Sequence, residues 1–172
     1  MTDTHRLAVC PGSFDPITNG HLEMIVRAAR LFDRVTVAVL ANPGKHPLFT
    51  LAERVGMLRQ VIATVGLSGQ VDVETFDGLL ADYVRQHKAV AVVRGLRTTA
   101  EFSEEAQMAM MNRHLNVECE TVFLVSSPPV AFISSRLVRE IAALGGSLDG
   151  LVPHLVAAAL ATRRASYPPI QV

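Results

Sequence analysis

The sequence contains little cysteine, no tryptophan and no excess of charge of either sign. Its 172 residues include two cysteines and 5% aromatic residues, and the formal net charge is zero. Cys10 and Cys119 show no CxxC spacing, which argues against a disulfide framework or a cysteine zinc cluster. Zero net charge and few aromatic residues argue against a broad nucleic-acid-binding surface or a polybasic membrane surface.

Long hydrophobic runs are also missing. No apolar run approaches the roughly 18 residues of a membrane span, and the N-terminus has no apolar stretch typical of a signal peptide. Two cysteines without a pairing pattern are typical of the reducing cytosol. We therefore expect a cytoplasmic protein that binds neither nucleic acid nor a membrane.

The composition is that of an ordinary globular domain. Hydrophobic residues make up 49% of the chain and charged residues 19%. The length favours one domain with a substantial core. We assign residues 1–165 to this domain and expect 166–172, which contains two adjacent prolines, to be a flexible C-terminal tail.

Short valine-rich runs alternate with longer helical patterns. The runs are nearly continuous in apolar character, which is typical of strands covered on both faces. The predicted strands are 6–10, 34–40, 71–76, 89–93 and 120–125, and the predicted helices are 20–31, 51–65, 79–87, 101–115, 134–144 and 153–164. This alternation predicts an α/β fold, a single Rossmann-like doubly wound domain with a five-stranded parallel sheet and helices on both faces. Ligands of such folds bind at the carboxyl ends of the strands.

The loop after the first strand reads "CPGSFDPITNGH" and is longer than a plain connector needs to be. We expect Asn19 to cap the following helix, which places His21 in the first turn, where free amides attract anions. No GxGxxG or GxxxxGK[ST] pattern is present, so neither a dinucleotide fingerprint nor a P-loop is predicted. The alternative is a capped helix with a surface histidine.

The loop "VVRGLRTTAEF" follows the fourth strand. Arg94 and Arg97 place two guanidinium groups at a strand end, which favours phosphate binding. Ion pairs at the edge of the sheet are the alternative, with three possible partners: Glu101, Glu104 and Glu105.

Two further loops carry residues that can bind phosphate. "ANPGKHPLF" presents Lys45, which could equally be a solvated surface lysine. "SSPPVAFISSRLVRE" places Ser134, Ser135 and Arg136 at a helix N-terminus, either as an anion site or, for the serines, as plain capping. By contrast, "FDGLLADYV" after the third strand offers an apolar wall that includes Leu80.

Four segments together resemble one family. "PGSFDPITNGH", "RGLR", "MNRHL" and "FISS" with "LVRE" are similar to bacterial phosphopantetheine adenylyltransferases, over about residues 7–161, and 18–21 fit the superfamily signature T/HxGH. The resemblance implies reversible transfer of the adenylyl group of ATP to 4′-phosphopantetheine, giving dephospho-coenzyme A and pyrophosphate in the penultimate step of coenzyme A synthesis. It also implies direct in-line attack without a covalent intermediate, Mg²⁺ held mainly by the ATP phosphates, and a homohexamer.

The resemblance also assigns roles to individual residues. The implied catalytic residues are His21, Lys45 and Ser13. The implied ATP-binding residues are Ser13, Phe14, His21, Gly95, Leu96, Arg97, Glu105, Val130, Ala131, Phe132, Ile133, Ser134, Ser135 and Arg136. The implied phosphopantetheine-binding residues are Ser13, Lys45, Leu80, Arg94 and Asn112. Arg136 stands where many members have serine, which would add a cation near the pyrophosphate.

The chemistry fits these residue types. A phosphate monoester has a second pKa of about 6, so the acceptor is already largely dianionic at neutral pH and needs no general base. We expect His21 to stabilise charge on the α-phosphoryl group, and a nearby triphosphate to raise its pKa above the usual 6.5 or so. The alternatives are a transferase acting on nicotinate mononucleotide or on a sugar or alcohol phosphate, and a nucleotide-sensing module without catalysis.

Overall fold

The computed structural model describes residues 5–41 and 47–163, in which strands and helices alternate as predicted. The elements are β1 (Leu7–Gly12), α1 (Asn19–Leu31), β2 (Arg34–Leu40), α2 (Leu51–Thr64), β3 (Val71–Phe76), α3 (Leu80–His87), β4 (Ala91–Leu96), α4 (Thr99–Leu115), β5 (Thr121–Val125), α5 (Ser135–Leu144) and α6 (His154–Thr162). The expected tail at 166–172 lies outside the described residues.

The strands form one parallel sheet. Its order is β3-β2-β1-β4-β5, and β1 pairs in parallel with both β2 and β4. The chain first builds outward from β1 to β3 and then crosses back to β4. The strand order therefore reverses between β1 and β4, and a crevice is expected at the carboxyl ends of these two strands.

Helices cover both faces of the sheet, as predicted. Successive strand residues point to opposite faces, so Ala8 and Cys10 join the larger core with α1, α2, α5 and α6. Val9, between them, joins a smaller core with Tyr83 and Val84 of α3. This alternation explains why the strands read as unbroken apolar runs.

Helix α4 has apolar side chains that its own chain does not cover. These side chains, here called the α4 apolar side chains, are 41–67% exposed and belong to Phe102, Met108, Met110, Met111 and Leu115. Within 5–41 and 47–163, none of the helices combines the length and the apolar character that a membrane span requires.

Some local predictions need correction. Strand β4 continues to Leu96, so Arg94 lies inside the strand rather than after it. Thr98 caps α4 through its hydroxyl, and the Glu101 carboxylate forms an ion pair with Arg97. Gly145 ends α5 in a left-handed conformation with φ 77°, as a glycine stop should.

Candidate active site

A polar cavity of about 450 Å³ lies at the crevice between the ends of β1 and β4. It is walled by the loop after β1, the first turn of α1, the end of β4, α4 and the start of α5. The predicted residues that line this polar cavity are Ser13, Phe14, His21, Arg94, Gly95, Arg97, Glu105, Ile133, Ser134 and Ser135. The fold thus brings together predicted residues from three separate segments of the chain.

A second cavity of about 450 Å³, here called the apolar cavity, lies between α3 and α4. Leu80 and Asn112, both predicted for acceptor binding, line it. Most of its wall is apolar, from Leu40, Phe76, Leu79, Leu80, Val92, Met108 and Ala109. The two cavities share the wall residues Pro11, Gly12, Ser13, Arg94 and Glu105. Ser13 therefore lies at their junction.

The first turn of α1 fixes the tautomer of His21. Thr18, and not Asn19, is the N-cap, because its Oγ1 accepts a hydrogen bond from the His21 amide at 3.3 Å. The Thr18 amide in turn donates to His21 Nδ1 at 3.2 Å. Since Nδ1 is an acceptor, the neutral ring carries its proton on Nε2. His21 therefore has an N–H to offer a ligand in the polar cavity.

His21 is neutral in the free protein. Burial, followed by repulsion from Arg97 and Arg94, lowers its pKa from 6.5 to about 4. The raised pKa that the sequence predicts for His21 concerns the complex with ATP. In the free protein the pKa is lowered instead. At neutral pH the side chain is a hydrogen-bond donor without a charge.

The loop between β1 and α1 has an uncommon backbone. Phe14 has a φ of 47°, and the peptide bond between Asp15 and Pro16 is cis. Positive φ is rare for a residue with a bulky side chain. The Phe14 ring packs edge-on against the His21 imidazole with centroids 5.0 Å apart. It also covers Gly12, where a Cβ atom would lie 3.0 Å from Phe14 Cε2, so a larger residue here would push against the ring.

Arg94 and Arg97 are both engaged by carboxylates. Arg94 Nε and Nη2 donate to Glu105 at 2.8 and 2.6 Å, and Nη1 donates to the Pro11 carbonyl at 2.9 Å. Arg97 binds Glu101 through Nε and Nη2, and its Nη1 donates to the Ile133 carbonyl at 3.0 Å. The alternative of ion pairs thus holds in the free protein, inside the wall of the cavity.

On α5 the structure separates two arginines. The Arg136 side chain is 84% exposed, binds Glu140 and does not line the polar cavity. Arg139 does line it, and its Nη1 donates to Asp15 Oδ2 at 3.2 Å. Among the described residues, the Nε and Nη2 of Arg139 have no partner. Arg139 therefore keeps two guanidinium nitrogens for a ligand in this cavity.

The remaining predicted residues fall into two groups. Four predicted residues do not line the polar cavity, although they are close in sequence to residues that do: Leu96, Val130, Ala131 and Phe132. Lys45 lies outside the described residues. Ser134 caps α5 by accepting from the Leu137 amide at 3.1 Å, so the capping interpretation holds for it as well.

Sequence reasoning missed two buried polar residues beside the site. Asp15 is 6% exposed and accepts hydrogen bonds from the amides of Leu48 and Phe49. Arg54 is 5% exposed and donates to three backbone carbonyls. Arg54 stands in an ordinary helical pattern. Because its partners are backbone carbonyls brought close by the fold, no sequence signal identifies it.

Comparisons with known proteins agree with this geometry. The cytidylyltransferase-like family model matches residues 9–141. The chain is 52% identical to the phosphopantetheine adenylyltransferase of Thioalkalivibrio sulfidiphilus over 91% of its length and 97% of the relative's. It is 50% identical to that of Geobacter sulfurreducens, covering 90% of this chain and 93% of the relative.

Solved structures share the fold at low identity. A bifunctional NMN adenylyltransferase/ADP ribose pyrophosphatase from Francisella tularensis superposes with a TM-score of 0.70 at 14% identity, over 92% of this chain and 49% of that one. A candidate nicotinate-nucleotide adenylyltransferase from Vibrio parahaemolyticus superposes with a TM-score of 0.65 at 15% identity, over 92% and 95%.

The parallel sheet, the site at its switch point and the family match define a nucleotidyltransferase. The level of identity narrows the class further. This chain belongs to the phosphopantetheine adenylyltransferase family, whose members transfer an adenylyl group.

Proposed function

We propose that the protein transfers the adenylyl group of ATP reversibly to 4′-phosphopantetheine, giving dephospho-coenzyme A and pyrophosphate in the penultimate step of coenzyme A synthesis. One observation carries the proposal: a polar and an apolar cavity share a wall at Ser13, Arg94 and Glu105. A reaction between two large substrates needs two sites that meet at one point.

The apolar cavity suits the acceptor. Leu80 and the other apolar side chains would bury the pantetheine arm, and Asn112 offers a polar contact along it. Arg94, at the shared wall, would bind the acceptor phosphate in place of part of its contact with Glu105. A charged head and a long flexible arm with methyl and methylene groups match this division better than a nucleotide or sugar acceptor does.

The polar cavity suits the nucleotide. Arg97, Arg139 and the amides at the start of α5, next to Ser134 and Ser135, would hold the triphosphate. Mg²⁺ would enter as the ATP complex, bound mainly by the phosphates. Among 5–41 and 47–163, no group of three or more His, Cys, Asp or Glu side chains could hold the ion.

The proposed chemistry is a direct in-line displacement. The dianionic acceptor attacks the α-phosphorus and pyrophosphate leaves, so the protein aligns the substrates and stabilises charge. His21, fixed as the Nε2–H tautomer, would donate to an α-phosphoryl oxygen. Ser13 lies where both substrates meet, and Lys45 is proposed as a second stabilising cation on the strength of the family resemblance.

We further propose a cytoplasmic homohexamer. The α4 apolar side chains support self-association, because several exposed apolar side chains on one helix commonly mark an interface. Cys10 and Cys119 are buried free thiols, which suits a reducing compartment. Sedimentation equilibrium would measure the number of subunits directly.

Product identification tests the proposed reaction. The protein is incubated with ATP, Mg²⁺ and 4′-phosphopantetheine, and in parallel with nicotinate mononucleotide and with glycerol 3-phosphate. Mass spectrometry should find dephospho-coenzyme A in the first mixture alone, and ATP should form from dephospho-coenzyme A and pyrophosphate. Product with another acceptor only, or ATP binding without any product, would contradict the proposal.

The stereochemistry at phosphorus tests the mechanism. With an ATP analogue chiral at the α-phosphorus, a single in-line displacement inverts the configuration. Retention would indicate two displacements and a covalent intermediate, which the proposed mechanism excludes.

A further inference from the structure

We propose that Arg54 is a positioning residue for this reaction: it fixes the ends of β1 and β2 relative to the start of α2, so that Ser13 stays at the junction of the two cavities. The inference rests on the proposed function, because its readout is that reaction. Arg54 itself does not line either cavity.

The contacts of Arg54 join three separate segments. Its Nη1 donates to the Ser13 carbonyl at 2.7 Å and to the Leu40 carbonyl at 3.3 Å. Its Nε donates to the Phe49 carbonyl at 3.1 Å. These carbonyls belong to the loop after β1, the end of β2 and the turn before α2. One rigid, planar side chain thus sets the spacing of all three.

Burial of this guanidinium is costly. Arg54 is 5% exposed and, among the described residues, has no carboxylate partner. A buried charge without a counter-ion is normally unfavourable, and an apolar residue would fill the same space without that penalty. The protein retains a charged group here, and among the described residues its hydrogen-bond partners are backbone carbonyls at the edge of the site.

A second contact strengthens the arrangement. Phe49, which accepts from Arg54 through its carbonyl, donates through its amide to Asp15 Oδ1 at 2.9 Å. Asp15 also accepts from Leu48 at 2.8 Å and from Arg139. The peptide groups on both sides of Phe49 are therefore tied to the loop that carries Ser13. Loss of Arg54 would free one side of this connection and leave the cavity walls intact.

The test compares Arg54→Lys with Arg59→Lys. Lysine keeps the charge but has a single nitrogen, which cannot reach three carbonyls in a fixed plane. Arg59 lies on the same helix and also donates to a strand carbonyl, that of Val73 at 3.1 Å, but at the edge strand β3, away from the two joined cavities. Arg59 is exposed, so it is a control for changing an arginine to lysine on the same helix without a buried contact to the site.

The turnover number is measured per ATP-binding site, with the sites counted by calorimetric titration of the folded protein. Because misplacement by about 1 Å can cost roughly 10²-fold, we expect Arg54→Lys to lower kcat by roughly ten- to a hundredfold. The KM values for ATP and 4′-phosphopantetheine should change less than about threefold, since the cavity walls remain. Arg59→Lys should keep the parental kcat and KM.

A parental kcat per site in Arg54→Lys, even with a lower unfolding temperature, would overturn the inference, because Arg54 would then serve stability alone. If Arg54→Lys does not fold, Arg54→Gln decides, since its neutral amide can still donate to one of the carbonyls but cannot join all three, and it should show the same loss of kcat with retained KM. Absence of product with the parental protein would instead contradict the proposed function.

Discussion

The neutral state of His21 gives the sharpest prediction. Each pKa unit is worth about 1.36 kcal/mol, so a shift from 6.5 to about 4 makes protonation of His21 roughly 3 kcal/mol harder in the folded protein than in the unfolded chain. At pH 7, His21 is then almost entirely neutral in the free protein. The Nε2–H donor, and not a positive charge, is what the free protein supplies.

Two substitutions separate the donor from the charge. His21→Ala removes both and should lower kcat by roughly 10²–10³, the usual cost of losing a donor to a developing charge. His21→Gln places a neutral N–H near the position of Nε2 and should recover at least about tenfold of that loss. His154→Gln is the control, because His154 is an exposed histidine in the first turn of α6, outside both cavities.

The assay follows pyrophosphate release from pH 6 to pH 8 with ATP and 4′-phosphopantetheine well below their KM values, because kcat/KM reports the ionisation of the free protein. The acceptor phosphate titrates near pH 6 for every variant, so the ratio of parental to His21→Gln rates isolates the histidine. We expect this ratio to stay constant. Two results together would refute the neutral-donor role. The ratio would fall about tenfold for each unit that the pH rises, and His21→Gln would be no faster than His21→Ala.

The same pKa shift predicts a loss of stability in acid. The pKa of His21 is lower in the folded protein than in the unfolded chain, so the unfolded chain binds more protons between pH 6.5 and about 4. The contribution to the free energy of unfolding is thus complete above 6.5 and declines as pH falls through this window. Urea unfolding at pH 7 and pH 5 should show that the parent loses roughly 2 kcal/mol more than His21→Gln. Equal losses would contradict the shift.

Two further predictions concern the walls of the polar cavity. Arg139→Ala should raise the KM for ATP roughly tenfold or more, because a charge-assisted hydrogen bond is worth about 1.5–3 kcal/mol. Arg136→Ala, at an exposed position, should leave this KM within about twofold of the parental value. Equal effects of the two substitutions in initial-rate kinetics would contradict the assignment of Arg139 to ATP binding. Gly12→Ala should lower the free energy of unfolding by roughly 1–3 kcal/mol and reduce kcat, because the new Cβ would lie 3.0 Å from the Phe14 ring. Gly69→Ala, with no atom within 4 Å of its Cβ, should be close to neutral in the same urea titration.

The sequence predicted the fold well because its signals were local and repeated. Unbroken valine-rich runs such as β2 identified a sheet covered on both faces, and the first strand's loop identified the ligand edge. The position of the N-cap was missed by one residue, since Thr18 and Asn19 are both good caps and the choice depends on the bond with His21.

Side-chain direction at the site was harder to predict. Arg136 and Arg139 are three residues apart, so they lie within about 60° of each other around the helix, and spacing alone does not decide which faces the cavity. Arg54 and Asp15 could not be found for a different reason. Their partners are mostly backbone groups brought close by the tertiary fold, which leave no pattern in the sequence.

The glutamates that hold Arg94 and Arg97 have a consequence for selectivity. Each fork in the resting protein already contacts one negative group, Glu105 or Glu101. A singly charged anion, such as chloride or acetate, would only replace a carboxylate of equal charge, so its binding would gain little free energy. A phosphate dianion or a polyphosphate brings more charge than the carboxylate it displaces, so the resting site discriminates by valence before any chemistry begins.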